Sequence, residues 1–93
     1  MRKSDVEIYS DTANFAVIRH PDRKYPGTLI QGDTLFALCR MADDACKEAK
    51  VAGCQDSFEE MNELRNALWE RLKHYKQVLA EHNIELPFSE TNT

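Results

Sequence analysis

Val6-Glu7-Ile8-Tyr9 alternates apolar and polar side chains, the period-two pattern of a half-buried strand. Phe15-Ala16-Val17-Ile18 is a second β-rich run. The intervening Ser10-Asp11-Thr12-Ala13-Asn14 holds turn formers, whose Asp and Asn side chains bond their own backbone and tolerate left-handed conformations. The three segments predict a β-hairpin. His20 and Tyr25 each precede a proline and are biased to extended conformations. Thr28-Leu29-Ile30-Gln31 is a candidate short third strand.

After Gly32 the period changes. Leu35, Leu38, Cys39, Ala42, Ala45, Cys46 and Ala49 form one stripe at helical spacing. Asp33 is the expected N-cap and Gly53 the expected stop, so the helix should run over 34–51. The lower part of its stripe is small, which lets a second helix come close. Ser57 with Glu60 three residues on has the form of a capping box and predicts a second helix over 58–82. Its stripe is large: Met61, Leu64, Leu68, Leu72, Tyr75 and Leu79. Acids lead (Asp56, Glu59, Glu60, Glu63) and mostly bases follow (Arg65, Arg71, Lys73, Lys76), in the order that suits the helix dipole. Large against small predicts an antiparallel helical hairpin. Pro87 ends any helix, Ile84, Leu86 and Phe88 alternate along a tail that should fold back over the core, and Ser89–Thr93 should fray.

The pattern therefore describes an α+β protein, an N-terminal β-hairpin packed against a two-helix antiparallel hairpin. At 93 residues it is one expected domain, 1–93, with an ordered core over about 5–88. A core this small gains from oligomerisation.

Composition narrows the function classes. The net charge of −4 argues against general nucleic-acid binding. No apolar run reaches the length of a membrane span. Three cysteines, an odd number, and no secretory apolar segment point to reduced thiols in the cytoplasm. Cys39 and Cys46 lie about 10 Å apart along one helix, too far to bridge. The charge is uneven: residues 1–32 hold five Lys/Arg and four Asp/Glu, a sum of +1, and residues 33–93 hold seven and twelve, a sum of −5. An anionic partner is best placed on the N-terminal third.

Candidate chemistry concentrates between Arg19 and Asp33. Arg19, His20, Arg23 and Lys24 cluster around Pro21, and Arg forks bind carboxylate or phosphate bidentately. Tyr25, Gln31 and Asp33 complete the candidate binding set of Arg19, His20, Arg23, Tyr25, Gln31 and Asp33. The competing reading makes this loop scaffold, with the arginines paired to local acids, Asp33 capping the helix, Gly32 supplying a positive φ and Pro26-Gly27 forming a type II turn. Phe36, Met41 and Trp69 lie off the main stripes and are the candidate interface residues of a homodimer or protein complex.

Other constellations carry little. His74 and His82 are eight residues apart and His20 is remote, so no metal pair is spaced for ligation. Cys39 and Cys46 fall in the apolar stripe, and Cys54 sits between the helices without a neighbouring base. No catalytic motif is visible, and neither cofactor nor metal is expected. The expected function is a non-catalytic interaction or regulatory protein that self-associates. The alternative is a domain that binds a small molecule or anion through the Arg19–Asp33 loop.

The run Arg19-x-Pro21-x-Arg23-x-Tyr25-Pro26-Gly27-x-x-x-Gln31-Gly32-Asp33-Thr34-Leu35 resembles the signature of a small family of uncharacterised bacterial domains, R-x-P-G-R-x-[FY]-P-G-x-x-x-Q-G-D-[ST]-L. The strand from Val6 to Asp11 and the segment Ile84 to Pro87 are similar too, so the resemblance spans about residues 5–88. Asp22 stands where that signature has glycine. The resemblance implies a bacterial single-domain protein and lends it no activity.

Overall fold

The computed structural model describes residues 1–12 and 15–90. The element order is β1 (Glu7–Ser10), β2 (Val17–Arg19), β3 (Gly27–Thr28), α1 (Gly32–Val51) and α2 (Gln55–Glu81). This is an α+β arrangement. It divides into two compact units, Met1–Gln31 with the strands and Gly32–Thr93 with the helices.

The strand unit is a three-stranded antiparallel sheet in the order β1-β2-β3. Glu7 lies opposite Arg19 and Ile8 opposite Ile18, after which the register shifts so that Ser10 faces Val17. Tyr9 is the extra residue of that bulge, which twists the outer strand. Each strand differs slightly from its expected bounds. Phe15 stays in the connection, where its amide donates to the Thr12 carbonyl at 2.7 Å. Ala13 and Asn14 of the expected turn, and Thr91–Thr93 of the tail, lie outside the described residues. β3 is shorter than expected and begins earlier, at Gly27. Gly27 has no positive φ and pairs with Ile18, so Pro26-Gly27 is not a type II turn. The reversal falls instead at His20–Arg23, where the Arg23 amide donates to the His20 carbonyl at 2.9 Å. Pro21 occupies the second position of that turn, the place its fixed φ favours. Asp22 follows it without positive φ.

In the helical unit, Gly32 with Tyr75 and Asp43 with Trp69 and Arg65 are neighbours, so advancing along α1 means retreating along α2: the pair is antiparallel. Leu35, Cys39 and Leu72 form the buried cluster, and Ala42 and Cys46 continue the buried seam along α1. Small α1 side chains admit the larger α2 ones, as the stripes predict. Leu64 departs from this pattern and is 52% exposed. The tail does fold back: Phe88 stacks on Phe36 with ring centroids 4.3 Å apart and planes 5° from parallel. Lys76 holds Glu90 at 2.6 Å.

The helix ends correct three expectations. α1 starts at Gly32, so Asp33 lies inside the first turn, where Oδ1 accepts from the adjacent Thr34 amide at 2.9 Å. It acts there as a first-turn acid facing the helix dipole rather than as the N-cap. Gly32 has no positive φ. A Cβ there would sit 2.3 Å from the Tyr75 ring, so glycine is needed for close approach. The Ser57–Glu60 capping box does not cap α2. The helix begins two residues before Ser57, its N-cap is Cys54, and no side chain bonds the cap.

The reason lies in how α1 stops. Gly53 takes φ +73, its amide donates to the Lys50 carbonyl, and the Cys54 amide donates to the Ala49 carbonyl at 3.0 Å. This Schellman closure turns the chain at once, and the Cys54 carbonyl receives the Phe58 amide at 2.8 Å. Ser57 is then already inside the first turn. α2 ends by the same device. Asn83 takes φ 56, its amide donates to the Ala80 carbonyl, and the Ile84 amide donates to the Leu79 carbonyl at 2.9 Å. Asparagine is among the few non-glycine residues that adopt this conformation cheaply.

Candidate functional site

The basic loop emerges from β2. Arg19, its last residue, faces Glu7 across the β1–β2 ladder. Its Nε donates to a Glu7 carboxylate oxygen, and the Tyr9 hydroxyl donates to the same oxygen at 3.3 Å. The hydrogen bond from Arg19, with its charge, holds the Glu7 carboxyl below the usual carboxylate range, and the pairing raises Arg19 in turn. Another Arg19 nitrogen, Nη1, donates to the Arg23 carbonyl at 2.7 Å. Arg19 is thus engaged by the strand unit itself. It ties β1, β2 and the turn together.

The turn is held from within as well. The Asp22 amide donates to His20 Nδ1 at 3.1 Å. Asp22 also lies 4.0 Å from Arg2, an exposed pair worth about 0–1 kcal/mol. Beyond the turn, the Lys24 ammonium stands 5.5 Å from the centre of the Tyr25 ring. Exposed cation–π contacts of this kind contribute about 0.5–1 kcal/mol.

Ile18, His20, Arg23, Lys24, Tyr25, Gly27, Thr28 and Leu29 line a cleft of about 460 Å³, all within the strand unit. Three of them are basic or titratable nitrogen groups, three are apolar or aromatic, and none is a carboxylate. The Arg23 guanidinium forms no ion pair among the described residues.

Of the expected binding residues, His20, Arg23 and Tyr25 therefore come together. Arg19 stands behind them, bound to Glu7 and to the Arg23 carbonyl. Gln31 is exposed and ends the strand unit outside the cleft lining. Asp33 belongs to the first turn of α1. Ile18, Thr28 and Leu29 were missed as lining residues. Ile18 lies on β2, Thr28 ends β3 and Leu29 follows it, and the pairing Val17↔Thr28 with Ile18↔Gly27 brings these segments side by side.

The candidate interface residues divide. Phe36 and Trp69 are half-buried and packed against the Leu35–Cys39–Leu72 cluster. The Trp69 indole N–H donates to Asp43 Oδ1 at 2.9 Å. Arg65 Nε lies 3.9 Å from the same oxygen, so Asp43 gathers two α2 side chains. Nothing in the apolar pattern singled out Asp43, because it is a polar residue at the seam edge. Trp69 also borders a second cleft of about 600 Å³ with Asn66, Glu70, Lys73 and Lys76. Met41 is 65% exposed.

Cys39 and Cys46 are buried and free, and Cys54 is exposed and free. Burial pushes the Cys39 thiol up, and the Asp43 charge adds to the effect. Among the described residues no three His, Cys, Asp or Glu side chains group as a metal site would require. No described helix is long and apolar enough to cross a membrane.

A family model described as a family of unknown function, DUF6959, matches residues 1–88. The chain belongs to this family. The match spans both units and so includes the loop, the cleft and both helices. No curated protein and no solved structure matches the chain. Membership in DUF6959 carries no activity with it, and the functional reading rests on the residues.

Proposed function

We propose that this DUF6959 chain is a non-catalytic interaction domain that works as a two-fold self-associated protein, with the strand unit as its contact surface. One observation carries the reading: none of the described residues in the strand unit is buried, while Val6, Ile8, Tyr9, Phe15 and Ile30 all stand exposed. Strands of four, three and two residues make a sheet without a core of its own. Apolar side chains left this exposed mark the unit as an interaction surface. β1 is an outer strand whose far edge is open to pairing, and a second β1 related by a two-fold axis would supply matching donors and acceptors. Met41 is the exposed member of the expected interface set on the helical unit. Three free thiols suit a reducing cytoplasm, and a bacterial origin, implied by the signature resemblance, belongs to the same proposal.

The test is sedimentation and light scattering of the full chain. The wild type should be dimeric at high micromolar concentration. Ile8→Lys combined with Phe15→Ser should shift it to monomer with the helical circular dichroism unchanged. A wild type that remains monomeric throughout overturns the proposal.

A further inference from the structure

Independently of self-association, we propose that the cleft beside the His20–Arg23 turn is a binding site for a small phosphate monoester carried on an aromatic or other apolar body. Four observations converge on that class of ligand. The first is charge. His20, Arg23 and Lys24 line the cleft and no carboxylate does, in a chain whose net charge is −4. The nearest acid, Asp22, lies outside the lining with its carboxylate 4.0 Å from His20 Nδ1 and 4.0 Å from Arg2, so a dianion would neutralise the two permanent charges of Arg23 and Lys24.

The second is availability. The Arg23 guanidinium has no ion-pair partner among the described residues, whereas Arg19 is bound to Glu7. Arg23 offers a planar fork to two phosphate oxygens, and Lys24 a point charge to the third. The third is order. The turn is closed by the Arg23 amide on the His20 carbonyl at 2.9 Å, and Arg19 grips the Arg23 carbonyl at 2.7 Å. Arg19 is therefore a positioning residue, and the ligand would meet an arginine whose backbone is already fixed. His20 accepts at Nδ1 from the Asp22 amide, which leaves Nε2 to donate.

The fourth is the remaining wall. Ile18, Leu29 and the Tyr25 ring, itself 74% exposed, give an apolar surface that a bare inorganic anion would leave uncovered. At about 460 Å³ the cleft falls in the size range of small-molecule sites.

Phenyl phosphate is the probe that carries both halves. It is titrated into the full chain at constant ionic strength, followed by amide NMR shifts and calorimetry, beside inorganic phosphate, benzoate and phenol. Phenyl phosphate should saturate and move the amides of residues 18–29. It should bind about tenfold or more tightly than inorganic phosphate or benzoate, and phenol should not saturate. Arg23→Gln should weaken phenyl phosphate by about tenfold at an unchanged melting temperature, the loss of one charge-assisted pair. Tyr25→Ala should bring phenyl phosphate down to the affinity of inorganic phosphate. Equal binding of phenyl and inorganic phosphate would overturn the apolar half, and tighter binding of benzoate would overturn the phosphate assignment. Saturable shifts confined to residues outside 18–29, or none with any probe, would overturn the site.

Discussion

Leu72 and Leu64 share the apolar stripe of α2 in the sequence, yet Leu72 has no exposed surface and Leu64 is 52% exposed. Truncating each to alanine separates burial from helix propensity, because the residue types and the helix are the same. Leu72 packs with Leu35 and Cys39, and half-buried Leu68 and Tyr75 lie against that cluster. Removing a fully buried leucine side chain forfeits about 1.5–3 kcal/mol of transfer free energy. A residual cavity adds to this and brings typical Leu→Ala losses to about 2–5 kcal/mol. The helices are already held close by Gly32 against Tyr75, so collapse into the hole is limited and the upper half of that range applies. We expect about 3.5–5 kcal/mol for Leu72→Ala. Leu64→Ala leaves no enclosed void and puts in a better helix former, so its cost should stay under about 1 kcal/mol. The assay is urea unfolding followed by helical circular dichroism, with the slope of the transition required to stay constant. Against a total of about 5–10 kcal/mol for a protein of this size, Leu72→Ala would remove a large share of the stability. Similar losses in the two variants would refute the assignment of the core to the Leu35–Cys39–Leu72 cluster.

Two further outcomes follow from the side-chain environments. Arg19 lowers the folded-state pKa of Glu7 below the ordinary 4.5, so the unfolded chain binds more protons in that range and stability rises with pH there. The contribution is complete above the unfolded value and is lost as pH falls through the lower folded one. The stability gap between wild type and Glu7→Gln should therefore shrink on going from about pH 7 to about pH 3, and a gap that stays constant would remove the pair as its source. For the thiols, a disulfide reagent should modify Cys54 rapidly in the native protein and reach Cys39 and Cys46 only on unfolding, since the first is exposed and the other two are buried. Rapid native modification of two or more thiols would contradict that burial.

Much of the architecture was legible because period is a local property. The alternation at Val6–Tyr9, the helical stripe from Leu35 to Ala49 and the larger one from Met61 to Leu79 each follow from which side chains must share a face. Gly53 as a helix stop was legible for the same reason, since a left-handed residue is needed there and glycine supplies it. The small-against-large complementarity of the two stripes likewise foretold the antiparallel seam. The cluster His20, Arg23 and Tyr25 could be picked out as polar and aromatic residues around two prolines.

Tertiary structure decided what depended on a neighbour distant in sequence. Ser57–Glu60 has the local form of a cap, but the Schellman closure at Gly53 starts α2 at Gln55 and leaves Ser57 in the first turn. Gly32 invited a positive φ, but glycine is needed there because the Tyr75 ring, remote in sequence, packs against it. Arg19 and Arg23 look equivalent in the chain. Strand register places Glu7 opposite Arg19 and gives Arg23 no such acid, so one arginine becomes a brace and the other lines the cleft. Sequence pattern sets which faces are apolar; which charges meet is set only when pairing brings separate strands and helices within a hydrogen bond of each other.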